Sequence, residues 1–319
     1  MDLLDRAEIT ALKQIEPSAL TLHPAAVYLG SLSEGSQRTM RSSLNAIASV
    51  LTDGECDCLT LDWSKLRYRH TAAFRTALKQ RLAPTTVNKM LVALRRVLKE
   101  AYRLDLMEFA DYTKATDLAN VKASAELRGR ALSASEIDAL IESCSPKTPL
   151  DLRDAAAIAL LRIGGMRRQE LAQLTLADLN LSNGSLVIRR GKGGVMRVVY
   201  LNEEALAILR EWLAFRGNSP GGLICPVNKG GRVELRHFAP DGDGIYKLVR
   251  ERATRAGVER FSPHDFRRTF CSDLFDANTD PFSVQQLAGH ASLATTAKYD
   301  RRSEAARRNA VRGLKLKKS

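Results

Sequence analysis

Nothing in these 319 residues approaches eighteen consecutive apolar side chains, so the chain carries no sequence-level signal for a membrane-spanning helix. The N-terminal stretch MDLLDRAEIT is acidic and lacks a basic region ahead of an apolar run, which is not the pattern of a secretory signal. The expected compartment is therefore the cytoplasm. Cysteine is scarce and scattered: Cys56, Cys58, Cys144, Cys225 and Cys271 include no CxxC pair and no second pair to complete a zinc site. Unpaired thiols in a reducing compartment are expected, and neither a disulfide scaffold nor a zinc finger. There is no G-x-x-x-x-G-K-[ST] run for nucleotide phosphates, no carboxylate cluster for Mg²⁺, no internal repeat and no low-complexity tract. Asp241, Gly242, Asp243 and Gly244 resemble the start of a calcium loop, but its twelfth position is Arg252, so the stretch reads as a turn.

What is present is a core and an excess of positive charge. Hydrophobic residues make up 45% of the chain, enough for two compact domains at this length. Lys and Arg number 49 against 36 Asp and Glu, a net charge of +13. The excess is uneven, +3 over residues 1–122 and +10 over 123–319, of which +7 lies in residues 298–319. Such a balance suits a polyanion, with a merely solubilising surface as the plain alternative.

The first 120 residues read as helical. Over 36–51, Met40, Leu44, Ile47 and Leu51 recur at helical spacing, with Arg38 and Arg41 on the other side. Over 84–104, Pro84 suits a first turn; Val87, Leu91, Leu94, Leu98 and Ala101 form the apolar stripe opposite Lys89, Arg96 and Arg103. These five basic residues are candidates for phosphate contacts. A loosened pattern after Tyr112 marks a linker over 113–130. Ser133 and Glu136 form a capping-box signature, and an apolar helix over 152–163 is broken by Gly164 and Gly165. Three short strands are predicted between 177 and 201, turning at Asn183-Gly184 and at 191–194. Helices resume after Asn202, around 244–256, and at Ser262-Pro263.

Four segments can carry chemistry. In FSPHDFRRTFC, His264 and Arg267 share one helix face, joining a proton-transferring imidazole to an anion-gripping guanidinium; Arg268 is expected to point elsewhere. In LAGHASLATTAKYDRR, Gly289 can close one helix and Ser292 cap the next, leaving His290 at the junction and Tyr299 two turns into the following helix, not fully turned into a core. Arg167 follows the Gly-Gly break, with Glu170 placed to orient it, and Lys192 sits at a hairpin tip. Each alone is more often an ordinary surface feature.

Together, their order resembles the tyrosine recombinases, the phage integrases and Xer-type site-specific recombinases. The family's G-[LM]-R-x-x-E-L signature matches Gly165 to Leu171, its G-K-G hairpin Gly191 to Gly193, its H-x-[LF]-R-[HR]-T-F box His264 to Phe270, and its G-H-x(4)-T-T-x-x-Y box Gly289 to Tyr299. Ala288 and Arg268 depart from the usual Leu and His.

The resemblance implies a mainly α fold with a small antiparallel sheet. It further implies a helical core-type DNA-binding domain over 21–112, the linker, and an α+β catalytic domain over 131–319 ending in a basic tail; residues 1–20, which match nothing in the family pattern, are left as an N-terminal extension. The implied catalytic set is Arg167, Lys192, His264, Arg267, His290 and Tyr299, supported by Glu170, with no cofactor and no metal. Tyr299 attacks the scissile phosphate, Lys192 protonates the leaving oxygen, and strands rejoin without a high-energy cofactor during integration, excision or resolution of a DNA element. Implied partners are double-stranded DNA sites and three further copies of the chain on two sites, with monomer or weak dimer in free solution. An accessory directionality protein, the nucleoid and the absence of a membrane complete that expectation. The rival readings are a type IB topoisomerase-like nicking-closing enzyme and a non-catalytic DNA-binding protein on the same fold.

Overall fold

The computed structural model describes residues 3–14, 19–122, 129–145, 148–189, 196–300 and 311. The chain divides into two compact units, Met1–Glu126 and Leu127–Ser319. The first is helical: α1 (Arg6–Ala11), α2 (Pro24–Gly30), α3 (Glu34–Leu51), α4 (Tyr68–Arg81), α5 (Pro84–Arg103) and α6 (Phe109–Thr116). The stripe predicted on α5 is buried in full and is widened by Met90, Ala93 and Val97, so this helix forms the centre of the unit. Leu44, Ile47, Ala48 and Leu51 of α3 and Phe74 and Leu78 of α4 close around it. Each buried Val, Leu, Ile, Met or Phe side chain among them contributes about 1.5–3 kcal/mol by leaving water.

Two boundaries differ from the sequence reading. Leu4, Ile9 and Leu12, within the stretch read as an extension, are buried in the core of the helical unit. Helix α6 runs to Thr116, into the stretch read as linker, because Ala115 and then Leu118 and Val121 also find apolar partners there.

The second unit is built on α7 (Ala134–Glu142), α8 (Pro149–Ile163), α9 (Arg168–Gln173), strands β1 (Leu179–Asn180), β2 (Ser185–Ile188) and β3 (Arg197–Tyr200), then α10 (Glu203–Arg216), α11 (Asp243–Arg255), α12 (Pro263–Asp276), α13 (Pro281–Ala288) and α14 (Leu293–Ala297). The strands pair antiparallel in the order β1-β2-β3, with Leu186 opposite Val199 and Ile188 opposite Arg197. The predicted caps form: the Ser133–Glu136 box starts α7, and Asn202 accepts the Ala205 N–H at the start of α10. Helix α8 starts earlier than its apolar run, since Thr148 and Asp151 make a capping box around Pro149. Ala156, Ala157, Ile158, Leu160 and Leu161 bury α8 almost on every side. Arg252 of α11 donates to Asp151 and Asp154 of α8 and to the Ser143 carbonyl, so this buried charge is paired. The Asp241 carboxylate accepts the Asp243 N–H, making an Asx turn into α11. All five cysteines are buried and free. Among the described residues, no helix is long and apolar enough to cross a membrane.

Candidate active site

The site starts at the end of α8. Gly165 has φ +54°, a left-handed conformation that reverses the chain. A Cβ there would lie 2.2 Å from the Phe270 ring. Its carbonyl accepts a hydrogen bond from Arg267 Nη1 at 2.9 Å. The reversal places Arg167 at the N-cap of α9, where Glu170 accepts from the Arg167 backbone N–H at 2.8 Å and from its Nη1 at 2.7 Å. Arg167 Nη2 reaches the Gly289 carbonyl at 3.2 Å. Glu170 is buried, and Arg197 of β3 donates to both its oxygens at 3.0 and 2.7 Å. Burial alone would raise the Glu170 pKa; the bonds from Arg197 and then Arg167 outweigh it and hold the carboxyl below its usual range.

Helix α12 begins as predicted, with Asp265 accepting from the Ser262 N–H and hydroxyl and Pro263 in the first turn. Arg267 is 1% exposed, and its Nη2 has no hydrogen-bond partner among the described residues. Burial, and next the nearby Arg167 charge, lowers its pKa to about 10, so it stays cationic at neutral pH. A buried cation with one idle donor is suited to an incoming anion. His264 is exposed as a residue, yet the protein packed around its ring, followed by Arg267, pushes its pKa down. It is therefore a neutral imidazole at pH 7.

Gly289 ends α13 with φ +65°, the left-handed cap read from the sequence. His290 follows, buried, its Nδ1 2.9 Å from Thr296 Oγ1 and its ring stacked on Tyr299 at 5.5 Å and 12°. Burial, then the charges of Arg267 and Arg167, lowers the His290 pKa to about 3. The Tyr299 hydroxyl lies 3.2 Å from His264 Nε2. Burial and the neighbouring Cys271 raise the phenol's pKa, opposed by Arg267, Arg268 and Arg167. The phenol is thus a neutral donor beside an imidazole able to accept its proton.

Five of the six side chains named from the sequence, Arg167, His264, Arg267, His290 and Tyr299, therefore meet in one place. Lys192 and the 191–194 turn lie outside the described residues, as do Ala306, Ala310 and Leu314 of the basic tail. Three local expectations are corrected. Tyr299 is not two turns into a helix: α14 ends at Ala297, and the tyrosine sits in the turn beyond it. It is only 7% exposed, and belongs to one buried apolar cluster with Phe270, Cys271, Phe275, Val284 and Ala288. Arg268 does not point away, since its guanidinium lies 5.8 Å from the Tyr299 ring centroid and 3.6 Å from Asp265.

Arg197 and Thr296 are not among the side chains given a role from the sequence, although Thr296 is the second threonine of the G-H-x(4)-T-T-x-x-Y box. A signal existed for Arg197, which has the same strand parity as the inward Val199. Among the described residues, no cluster of His, Cys, Asp and Glu is arranged to hold a metal ion. In the helical unit Arg38, Arg41 and Lys89 are exposed. Arg96 is instead half-buried over the Tyr28 ring and 3.8 Å from Glu100, which also pairs with Arg103 at 3.1 Å.

The sequence profile of the phage integrase family matches residues 130–306, more than half of the chain. The chain is 30% identical over 231 residues to the tyrosine recombinase XerD of Vibrio cholerae serotype O1, covering 69% of this chain and 72% of that one. It is 29% identical over 277 residues to XerD of Yersinia pestis, covering 84% and 87%. In fold it resembles the Tn1549 transposon integrase solved with transposon right end DNA (TM-score 0.67, 16% identity, 92% and 98% covered). A lambda integrase dimer bound to a COC′ core site is similar too (TM-score 0.65, 16% identity, 94% and 78% covered). An enzyme that breaks and rejoins DNA through a tyrosine is the class that these findings define. The chain belongs to the phage integrase family, and its activity is that of a site-specific DNA recombinase.

Proposed function

We propose that Tyr299 is the nucleophile of strand cleavage and that the surrounding cations bind the scissile phosphodiester of double-stranded DNA. The observation that carries this reading is the 3.2 Å approach of the Tyr299 hydroxyl to His264 Nε2 beside the buried, part-idle guanidinium of Arg267. Arg167 and Arg267 neutralise charge building on the nonbridging oxygens. His264 accepts the phenolic proton as the oxygen attacks phosphorus. His290, neutral and held at Nδ1 by Thr296, donates from Nε2 to the phosphate. The P–O5′ bond breaks, Lys192 gives its proton to the leaving oxygen, and a 3′-phosphotyrosyl link and a free 5′-hydroxyl result. Attack by a 5′-hydroxyl from a second duplex reverses these steps and joins the exchanged strand, so the linkage itself conserves the bond.

The helical unit would contribute phosphate contacts through Arg38, Arg41, Lys89 and, less freely, Arg96 and Arg103. Solved relatives include a lambda integrase tetramer bound to a Holliday junction, which supports a tetramer of this chain on two DNA sites. Exposed Met196, Tyr200 and Phe282 around a cavity of about 700 Å³ beside His290 offer an apolar surface for contact between protomers. A cytoplasmic, nucleoid-associated protein with an accessory directionality partner completes the reading.

A DNA duplex nicked beside the scissile phosphate tests it, since loss of the short fragment that carries the freed 5′-hydroxyl traps the covalent intermediate. Wild-type protein should form an adduct resistant to denaturing detergent, while Tyr299→Phe should bind DNA and form none. Undiminished adduct in Tyr299→Phe would show that another group is the nucleophile.

A further inference from the structure

Arg197 has no part in the chemistry just described, yet every limb of its guanidinium is engaged. Nη1 and Nη2 make the paired bonds to Glu170, and Nε donates to the Leu287 carbonyl at 3.1 Å. It is 8% exposed. Gly289 lies so close that a Cβ there would sit 2.8 Å from the Arg197 side chain. One side chain therefore ties β3 to α9 and to the end of α13. Both partners lead directly to the site. Glu170 holds Arg167 by main chain and side chain, and the Gly289 carbonyl accepts from Arg167 just before His290. A buried ion pair is a weak source of stability, because desolvation offsets its attraction. Its planar, three-way fit is a strong source of geometry, and a lysine ammonium cannot reproduce it.

We infer that Arg197 is a positioning residue for strand cleavage: through Glu170 and the Leu287–Gly289 backbone it sets the orientation of Arg167 and His290 toward the phosphate. The inference rests on the proposed roles of Arg167, His290 and Tyr299. The charged and titratable groups near Glu170 are Arg167 and Arg197, Arg267 on α12, and Asp178, Arg189 and His237 around an adjoining cavity. Without Arg197, burial would raise the Glu170 carboxyl toward neutrality.

The test is single-turnover adduct formation on the nicked duplex, with DNA affinity and melting temperature measured alongside. Arg197→Lys should fold, bind DNA as wild type does, and cleave at least about tenfold more slowly, because the two parallel bonds are gone. Arg197→Met should show a new acid limb in its rate profile, falling as pH drops, which adding Glu170→Gln removes. Wild-type cleavage by Arg197→Lys would overturn the inference. So would losses of binding, melting temperature and rate in parallel with no new acid limb, the mark of a purely structural residue. Should Arg197→Met fail to fold, Arg197→Lys decides. If wild type forms no adduct, or Tyr299→Phe still forms one, the assignment of the site has failed instead.

Discussion

His264 is both a base within 3.2 Å of the Tyr299 hydroxyl and a group whose pKa is depressed, so the pH response of cleavage has a definite sign. In the proposed role the neutral ring accepts the phenolic proton, and that form persists until pH falls below a value itself lower than the ordinary 6.5. Adduct formation at subsaturating DNA, which reports the free enzyme's groups, should be level near pH 7 and decline only below 6.5. His264→Asn should remove that limb; a limb centred above pH 7 would exclude His264 as acceptor. Thr296 tests the other histidine. In the proposed role its hydroxyl donates to Nδ1 and leaves the proton on Nε2, so Thr296→Val should slow adduct formation about tenfold, roughly 1.4 kcal/mol, without weakening DNA binding. The spacing of Arg, His-x-x-Arg, Gly-His and Tyr named the residues that converge, because motifs record side-chain type. It did not show that Tyr299 is buried under Arg268, which depends on packing among α12, α13 and the turn after α14.

At the scale of elements, the left-handed end of α13 carries more than a chain reversal. Gly289→Ala would impose an unfavourable backbone costing about 1–2 kcal/mol and thrust a methyl group against Arg197. A lower melting temperature and slower cleavage should follow together; an unchanged rate would show that this junction tolerates displacement. The strand hairpin supports a separate expectation. At its two roots Arg189 pairs with Asp178 and Arg197 with Glu170. Lys192→Ala should cleave ordinary DNA far more slowly and recover on a 5′-bridging phosphorothiolate, whose leaving group needs no proton. Failure of that rescue would reject the lysine as general acid. Elements were legible wherever the signal was local: the α5 stripe, the caps at Ser133, Asn202 and Ser262, the glycine ending α13. Helix α14 was read too long because Ser292 marks its start, while no local residue dictates the turn at Tyr299.

For the whole molecule, a net charge of +13 concentrated after residue 122 points to a long phosphate footprint. DNA affinity should fall steeply and log-linearly with salt, and a flat profile would argue against such a footprint. Replacing exposed Arg38 or Arg41 with Ala should reduce that slope by about one unit for each phosphate no longer neutralised. Replacing Arg96 or Arg103 should change it less, because Glu100 already engages both. Equal effects at all four would show that Glu100 releases them when DNA binds.

The sequence by itself determined the periods, the caps, the glycine breaks and the types of side chain available, because each is written within a few neighbouring residues. Only the tertiary structure decided which of those side chains meet. Arg167 reaches the Gly289 carbonyl across 122 positions, and Arg197 reaches Glu170 across 27. No local propensity encodes such pairings. They arise because packing brings distant elements together around these groups, and a charged group removed from water must find a counter-charge or a carbonyl there.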